Sequence, residues 1–153
     1  HEERSAGPAP AVDSGHVLVV EQDRQFTRRI YTKNHQLIAD EPISAGGKDL
    51  GPNPYELLLA ALGACTSMTI RMYANRKRID LEDIEVTLHH SRIHAEDCAD
   101  CESQTGLVDQ IHKSLRLQGP LSEEQRSKLL EIANKCPVHK TLQNEIRIVS
   151  ELP

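Results

Sequence analysis

The chain is expected to fold as an α+β protein in which antiparallel sheets accompany a long apolar helix. Three observations predict this. Short runs rich in Val, Ile, Thr and Tyr, separated by polar turns, occupy residues 16–40. A helix start at Asn53-Pro54-Tyr55-Glu56 opens a long apolar stretch, and two runs of apolar–polar alternation follow it. The resulting order, βββ-α-ββ-α-β, groups strands together instead of alternating each with a helix, which favours antiparallel sheets.

His16 to Glu21, Gln25 to Thr32 and Gln36 to Asp40 read as a three-stranded antiparallel meander, with Asn34 in the second turn. In the loop Glu41 to Gly51, Gly46-Gly47 and Gly51 are expected to supply unusual backbone angles. Asn53 as N-cap, Pro54 at the first helical position and Glu56 at the third start a helix running to Arg76. Arg71, Arg76, Lys77 and Arg78 suit its C-terminal end. From Leu57 to Met68 the helix is apolar on every side, more than a domain of this size wraps alone, so a homodimer is expected. Ile84, Val86 and Leu88 alternate with polar residues, as do Ile111, Leu115 and Leu117 opposite His112, Ser114 and Arg116. Ser122-Glu123-Glu124-Gln125 is a capping box for a helix reaching Lys135. A short helix then starts at Cys136-Pro137, and Glu145 to Val149 reads as a last strand.

A chain of 153 residues fits one domain, here 16–153, after a Pro/Gly-rich tail or linker at 1–15. With no Trp and a single Phe, Phe26, the core is aliphatic and offers little for stacking on bases. A net charge of −5 argues against nucleic acid or an acidic membrane surface as partner. The longest apolar run, Leu57 to Leu62, is too short to span a bilayer. Four cysteines in a chain able to build its own core point to a reducing, cytoplasmic location.

Two blocks carry the chemistry: Gly46 to Cys65, GGKDLGPNPYELLLAALGAC, and Cys136-Pro137-Val138-His139. Cys65 reads either as a small buried hydrophobe or as a reactive thiol held in an apolar helix. Cys136 stands where helix amides lower a thiol pKa, or is a plain boundary residue. His139 and Lys140 either tune that thiol or are exposed helix residues. Cys98-Ala99-Asp100-Cys101, with His94 four residues ahead and His89, His90 and His112 on the flanking strands, keeps three readings open. They are a zinc site, a dithiol–disulfide pair able to reset the other two cysteines, and plain loop cysteines in an acidic tip.

The two blocks resemble the OsmC/Ohr family of thiol-dependent hydroperoxide reductases, and the similarity extends from Val17 to Val149. The resemblance implies an OsmC-like fold: an intertwined homodimer with sheets wrapped around central helices and an active site at the subunit interface. It makes Cys65 the peroxidatic and Cys136 the resolving cysteine. A thiolate attacks a peroxide oxygen, the resulting sulfenic acid condenses with the second thiol, and an external dithiol or lipoyl-type donor resets the pair. No metal or organic cofactor is required, and the substrate is a small hydrophobic hydroperoxide lined by Tyr55, Leu62 and Met68. Members of the family place an arginine of the N-terminal sheet near the thiol, held by a glutamate ten residues before it. Arg24 is the first candidate, from its separation to Gly46-Gly47, with Arg28 and Arg29 as alternatives; each is otherwise a solvated strand arginine. Here the chain departs from the pattern. Tyr55 stands ten residues before Cys65 and Glu56 nine, a rotation of about 100° on a helix. Glu56 is therefore either part of the catalytic set or the capping-box acid, and Tyr55 offers a phenolic hydrogen bond in its place.

The expected function is thus reduction of organic hydroperoxides. The alternatives are a non-peroxidase module on the same fold, holding zinc at the Cys98/Cys101 loop or a hydrophobic ligand, and a thiol–disulfide exchange protein.

Overall fold

A computed structural model describes residues 7–153. Of the expected tail, residues 1–6 lie outside the described residues, and residues 7–15 form neither helix nor strand. The chain divides into two compact units, the first ending at Leu57 and the second beginning at Leu58.

In the first unit, β1 (Leu18–Glu21), β2 (Arg28–Tyr31) and β3 (Gln36–Ala39) form the expected antiparallel meander, in that spatial order. Leu18 pairs with Tyr31 and Arg28 with Ala39. Asp40, 2% exposed, organises the loop that follows. Its carboxylate accepts the Thr27 hydroxyl at 2.8 Å and the backbone N–H groups of Glu41, Lys48 and Leu50 at 2.8, 3.3 and 3.4 Å. Gly47 is required there, since a Cβ would stand 2.0 Å from the Glu41 carbonyl oxygen. Lys48 pairs with the buried Asp23 at 2.8 Å.

α1 (Pro54–Arg76) starts as its sequence dictates. The Glu56 N–H donates to Asn53 Oδ1 at 2.8 Å and the Asn53 N–H donates to Glu56 Oε1 at 2.9 Å, a reciprocal capping box. Taken whole, α1 is long and apolar enough, by length and composition, to cross a membrane, which the Leu57 to Leu62 run alone did not indicate. Its buried stripe, Leu62, Gly63, Thr66, Ile70 and Ala74, follows helical spacing.

In the second unit, Ile70 and Ala74 pack with Leu81, Leu129 and Ala133, joined by Ile84, Leu115 and Leu117. β4 (Asp83–His94) and β5 (Leu107–Gln118) form one antiparallel hairpin. Gly63 lets this hairpin approach α1, because a Cβ there would lie 2.6 Å from Leu88 Cδ1. α2 (Glu123–Ala133) begins with the expected Ser122–Gln125 box and ends two residues earlier than the sequence indicates. α3 (Pro137–Gln143) has Cys136 as its N-cap.

Two elements differ from expectation. The hairpin continues to the His94–Leu107 pair, through residues whose polarity reads as loop. Cross-strand pairing explains the difference: Asp109 bonds both His90, at 2.8 Å, and Arg92, at 3.2 Å. The last strand, Glu145 to Val149, does not form. Its alternation is real, but Ile146 and Ile148 are exposed, and a strand needs a neighbour to take its backbone hydrogen bonds.

Candidate active site

Cys136 is fully buried, and its sulfur is ringed by donors. As N-cap of α3 it accepts the backbone N–H of His139 at 3.3 Å. Pro137 fixes the first turn that aims this N–H at the sulfur. Thr66, on the buried stripe of α1, sets its hydroxyl 3.6 Å from the same sulfur. The neighbouring helix residue, Cys65, is partly exposed, and its thiol is near enough to act on the ionisation of Cys136.

The positive charge comes from β5. Lys113 Nζ donates to Thr66 Oγ1 at 3.1 Å, to the Ala133 carbonyl at 2.9 Å and to His139 Nδ1 at 2.9 Å. An ammonium has three N–H groups, so this set uses them all. Lys113 thereby ties α1, the end of α2 and α3 to the hairpin. Because Thr66 accepts from Lys113, its own hydroxyl hydrogen is free to point at Cys136. Because His139 accepts through Nδ1, its ring proton sits on Nε2.

The ionisation of these groups follows from this packing. Burial pushes the Cys136 thiol up, but the Thr66 hydroxyl, the His139 N–H, the Cys65 thiol and the Lys113 charge together bring it below its ordinary value. Burial also pulls Lys113 down, against the opposing pull of the Cys136 and Cys65 sulfurs. Burial and then the Lys113 charge lower His139, which keeps its imidazole neutral and able to accept. The result is a thiolate-stabilising pocket built around one of two adjacent, unbonded cysteines. Such a pair supports two-electron redox chemistry.

The sequence pattern of the OsmC-like protein family matches residues 46–151, which include both cysteine blocks. The chain belongs to the OsmC-like family. Its fold is similar to the OsmC-like protein of Mycoplasma pneumoniae, with 23% identity, a TM-score of 0.65, and 84% of this chain and 86% of that one covered. It is also similar to an organic hydroperoxide resistance protein OsmC of Legionella pneumophila, at 23% identity and a TM-score of 0.61, over 88% and 92% of the two chains. A further structural relative is the putative organic hydroperoxide resistance protein of Vibrio cholerae, solved with captopril in one active site (18% identity, TM-score 0.57, coverage 94% and 90%). No curated protein matches the chain.

Within this OsmC-like fold the remaining expected site residues fall as follows. Leu62 is buried on α1, while Met68 is 67% exposed and borders an open depression with Arg71 and Met72. Tyr55 and Glu56 are exposed in the first turn of α1, with the Glu56 carboxylate engaged by the Asn53 N–H. In the first unit, Arg24 is exposed, Arg28 pairs with Glu21 at 3.2 Å, and Arg29 donates to Gln22. Cys98 and Cys101 are joined by a disulfide in the turn that closes the hairpin. Among the described residues Asp100 is the one further metal-type donor grouped with them, so His94 does not complete a four-ligand set. Lys140 lies in the last turn of α3.

Lys113 and Thr66 were not anticipated. The signal for Lys113 was present: on β5 the core-facing register is Ile111, Lys113, Leu115, Leu117, and the lysine interrupts it. A charge in an apolar register is a group with a partner. Thr66 had no comparable signal, since a threonine in a helix stripe is unremarkable until its neighbours are known.

Proposed function

We propose that the chain is a thiol-dependent peroxidase that reduces small hydrophobic organic hydroperoxides. Cys65, the more accessible thiol, attacks the terminal peroxide oxygen as a thiolate. The O–O bond breaks, the alkoxide takes a proton, and Cys65 is left as a sulfenic acid. Cys136, poised as a thiolate, attacks the Cys65 sulfur, expels hydroxide as water, and forms the Cys65–Cys136 disulfide. A dithiol or lipoyl-type donor then returns both sulfurs to the reduced state. The cycle uses no metal.

The observation that carries this reading is the meeting of two free cysteines, distant in sequence, beside the ammonium of Lys113. Family membership and the fold shared with proteins named for organic hydroperoxide resistance support it. The exposed apolar residues of α1, Leu58, Met68 and Met72, support a homodimer that covers them. The test is one equivalent of cumene hydroperoxide added to the reduced protein, followed by intact mass and peptide mapping. A Cys65–Cys136 disulfide with release of one equivalent of alcohol is expected. Protein that stays fully reduced would sink the reading.

One observation favours a second reading, thiol–disulfide exchange with a protein partner. The donors converge on Cys136, not Cys65, and the Glu56 carboxylate is occupied in the helix cap. Inertness to hydroperoxides combined with trapped mixed disulfides on Cys136→Ser protein would select it.

A further inference from the structure

We propose that Lys113 is a positioning residue that makes Cys136 the leaving sulfur when the Cys65–Cys136 disulfide is reduced, so that the reductant enters at Cys65. This rests on the disulfide of the proposed cycle and assigns the direction of its second half, together with the residue that sets it.

Access and charge lead to the same assignment. Thiol–disulfide exchange needs an approach to one sulfur along the bond and a stable thiolate on the other. Cys136 has no exposed surface, whereas Cys65 is partly open. The groups able to hold a departing electron pair surround Cys136. They are the Thr66 hydroxyl at 3.6 Å and the His139 N–H at 3.3 Å, with the Lys113 ammonium behind them. Two titratable groups from other elements act on Cys136: Cys65 from α1 and Lys113 from β5. On α3 itself, His139 is neutral and acts through its backbone N–H and as an acceptor for Lys113. Lys113 fixes this arrangement mechanically as well, since its bonds to Thr66, the Ala133 carbonyl and His139 hold the two donors in place.

The step balances with a dithiol as the electron source. One thiolate of the dithiol bonds to Cys65 Sγ, the Cys65–Cys136 bond breaks, and its electron pair stays on Cys136. The second thiol of the dithiol, as thiolate, attacks the reductant sulfur of the mixed disulfide and expels Cys65, which takes a proton. The dithiol leaves as a disulfide, two electrons and two protons poorer. The protein gains both electrons and one proton, on Cys65; the second proton goes to Cys136 or, where Cys136 stays a thiolate, to solvent.

The test uses the full chain oxidised with diamide, which makes its outcome independent of reactivity toward peroxide. Brief exposure to 2-mercaptoethanol, acid quenching and peptide mapping with N-ethylmaleimide are expected to find the mercaptoethanol adduct on Cys65 and the maleimide on Cys136. The reverse distribution overturns the proposal, and so does failure of diamide to join the two sulfurs. A second arm reads the charge. In a Cys65→Ser background, Lys113→Met is expected to lower the Cys136 thiolate-to-thiol ratio at neutral pH on the order of tenfold, as removal of a nearby opposite charge requires. Lys113→Arg, which keeps the charge, is expected to restore the larger part of it. In the otherwise unaltered chain, reduction by dithiothreitol slows in Lys113→Met, and its pH profile shifts to higher pH. An unchanged ionisation and reduction profile in folded Lys113→Met would overturn the role of the lysine.

Discussion

Replacing Thr66 by Val tests the thiol pocket most cleanly, because valine keeps the branched shape and removes only the hydroxyl. Thr66 is fully buried and sits between Lys113 Nζ, at 3.1 Å, and Cys136 Sγ, at 3.6 Å. Two effects follow from losing it. The first is structural: a lysine N–H loses its acceptor in a partly buried setting, which costs about 1–3 kcal/mol of stability. The second is chemical. The Cys136 thiolate loses one donor; a contact of this length to a charged sulfur is worth about 1.5 kcal/mol, roughly tenfold in the thiolate-to-thiol ratio. The assay is a pH titration of ultraviolet thiolate absorbance in a Cys65→Ser background, where Cys136 is the remaining free thiol because Cys98 and Cys101 are bonded to each other. The ionisation curve is expected to move to higher pH, and urea unfolding to shift to lower denaturant. The sign of the linkage is fixed. A depressed thiol pKa adds stability at pH above the ordinary thiol range, and that stability is lost as pH falls through the folded value. The Val variant should therefore show a smaller rise of stability toward alkaline pH. A folded variant whose Cys136 titrates as before would refute the claim that this hydroxyl donates to the thiolate.

Cys65→Ser is expected to abolish hydroperoxide turnover, measured by peroxide consumption with a dithiol present. Cys136→Ser is expected to complete a single turnover and then accumulate sulfenic and sulfinic acid on Cys65, read by mass. Asp40→Ala should remove about 3 kcal/mol by leaving the Thr27 hydroxyl and three loop N–H groups without their acceptor, and should open residues 41–51 to proteolysis. Burial raises the Asp40 pKa, but Thr27 and the backbone donors outweigh this and lower it. Its stabilisation is thus present above the ordinary carboxylate range and lost as pH falls through the folded value, which acid unfolding of the variant should no longer show. Reducing Cys98–Cys101 releases a small loop, at a cost of about 2 kcal/mol, and should raise hydrogen exchange at the hairpin end without stoichiometric uptake of zinc.

What the sequence disclosed was mostly local chemistry. Asn53 with Glu56, Ser122 with Gln125, and Cys136 before Pro137 each mark a helix start because a side chain satisfies backbone N–H groups within three residues of itself. Pairings between distant residues were less legible. The far end of the hairpin, from Ser91 to His94, looks like loop until Asp109 is brought opposite Arg92 and within reach of His90. Glu145 to Val149 shows the reverse error. Its alternation states which side chains share a face, but not whether a strand edge is available to pair with it.

The charge beside the thiols is a pairing of this distant kind. The family resemblance points to an activating arginine in the N-terminal sheet, with Arg24, Arg28 and Arg29 as its candidates. Yet β5 had already broken its own pattern. Ile111, Leu115 and Leu117 face inward, and the residue between the first two of them on that face is Lys113. An isolated ammonium in an apolar register would be costly, so its presence implied acceptors delivered by other elements. The structure supplies three, from α1, α2 and α3, and the first and last also hold the sulfur. A lysine suits this task better than an arginine, because its compact charge directs three N–H groups toward separate elements, whereas a guanidinium fork is planar. The same geometry explains why the stabilised sulfur is the buried one. Donors that converge from the core reach Cys136, while Cys65 stays partly exposed.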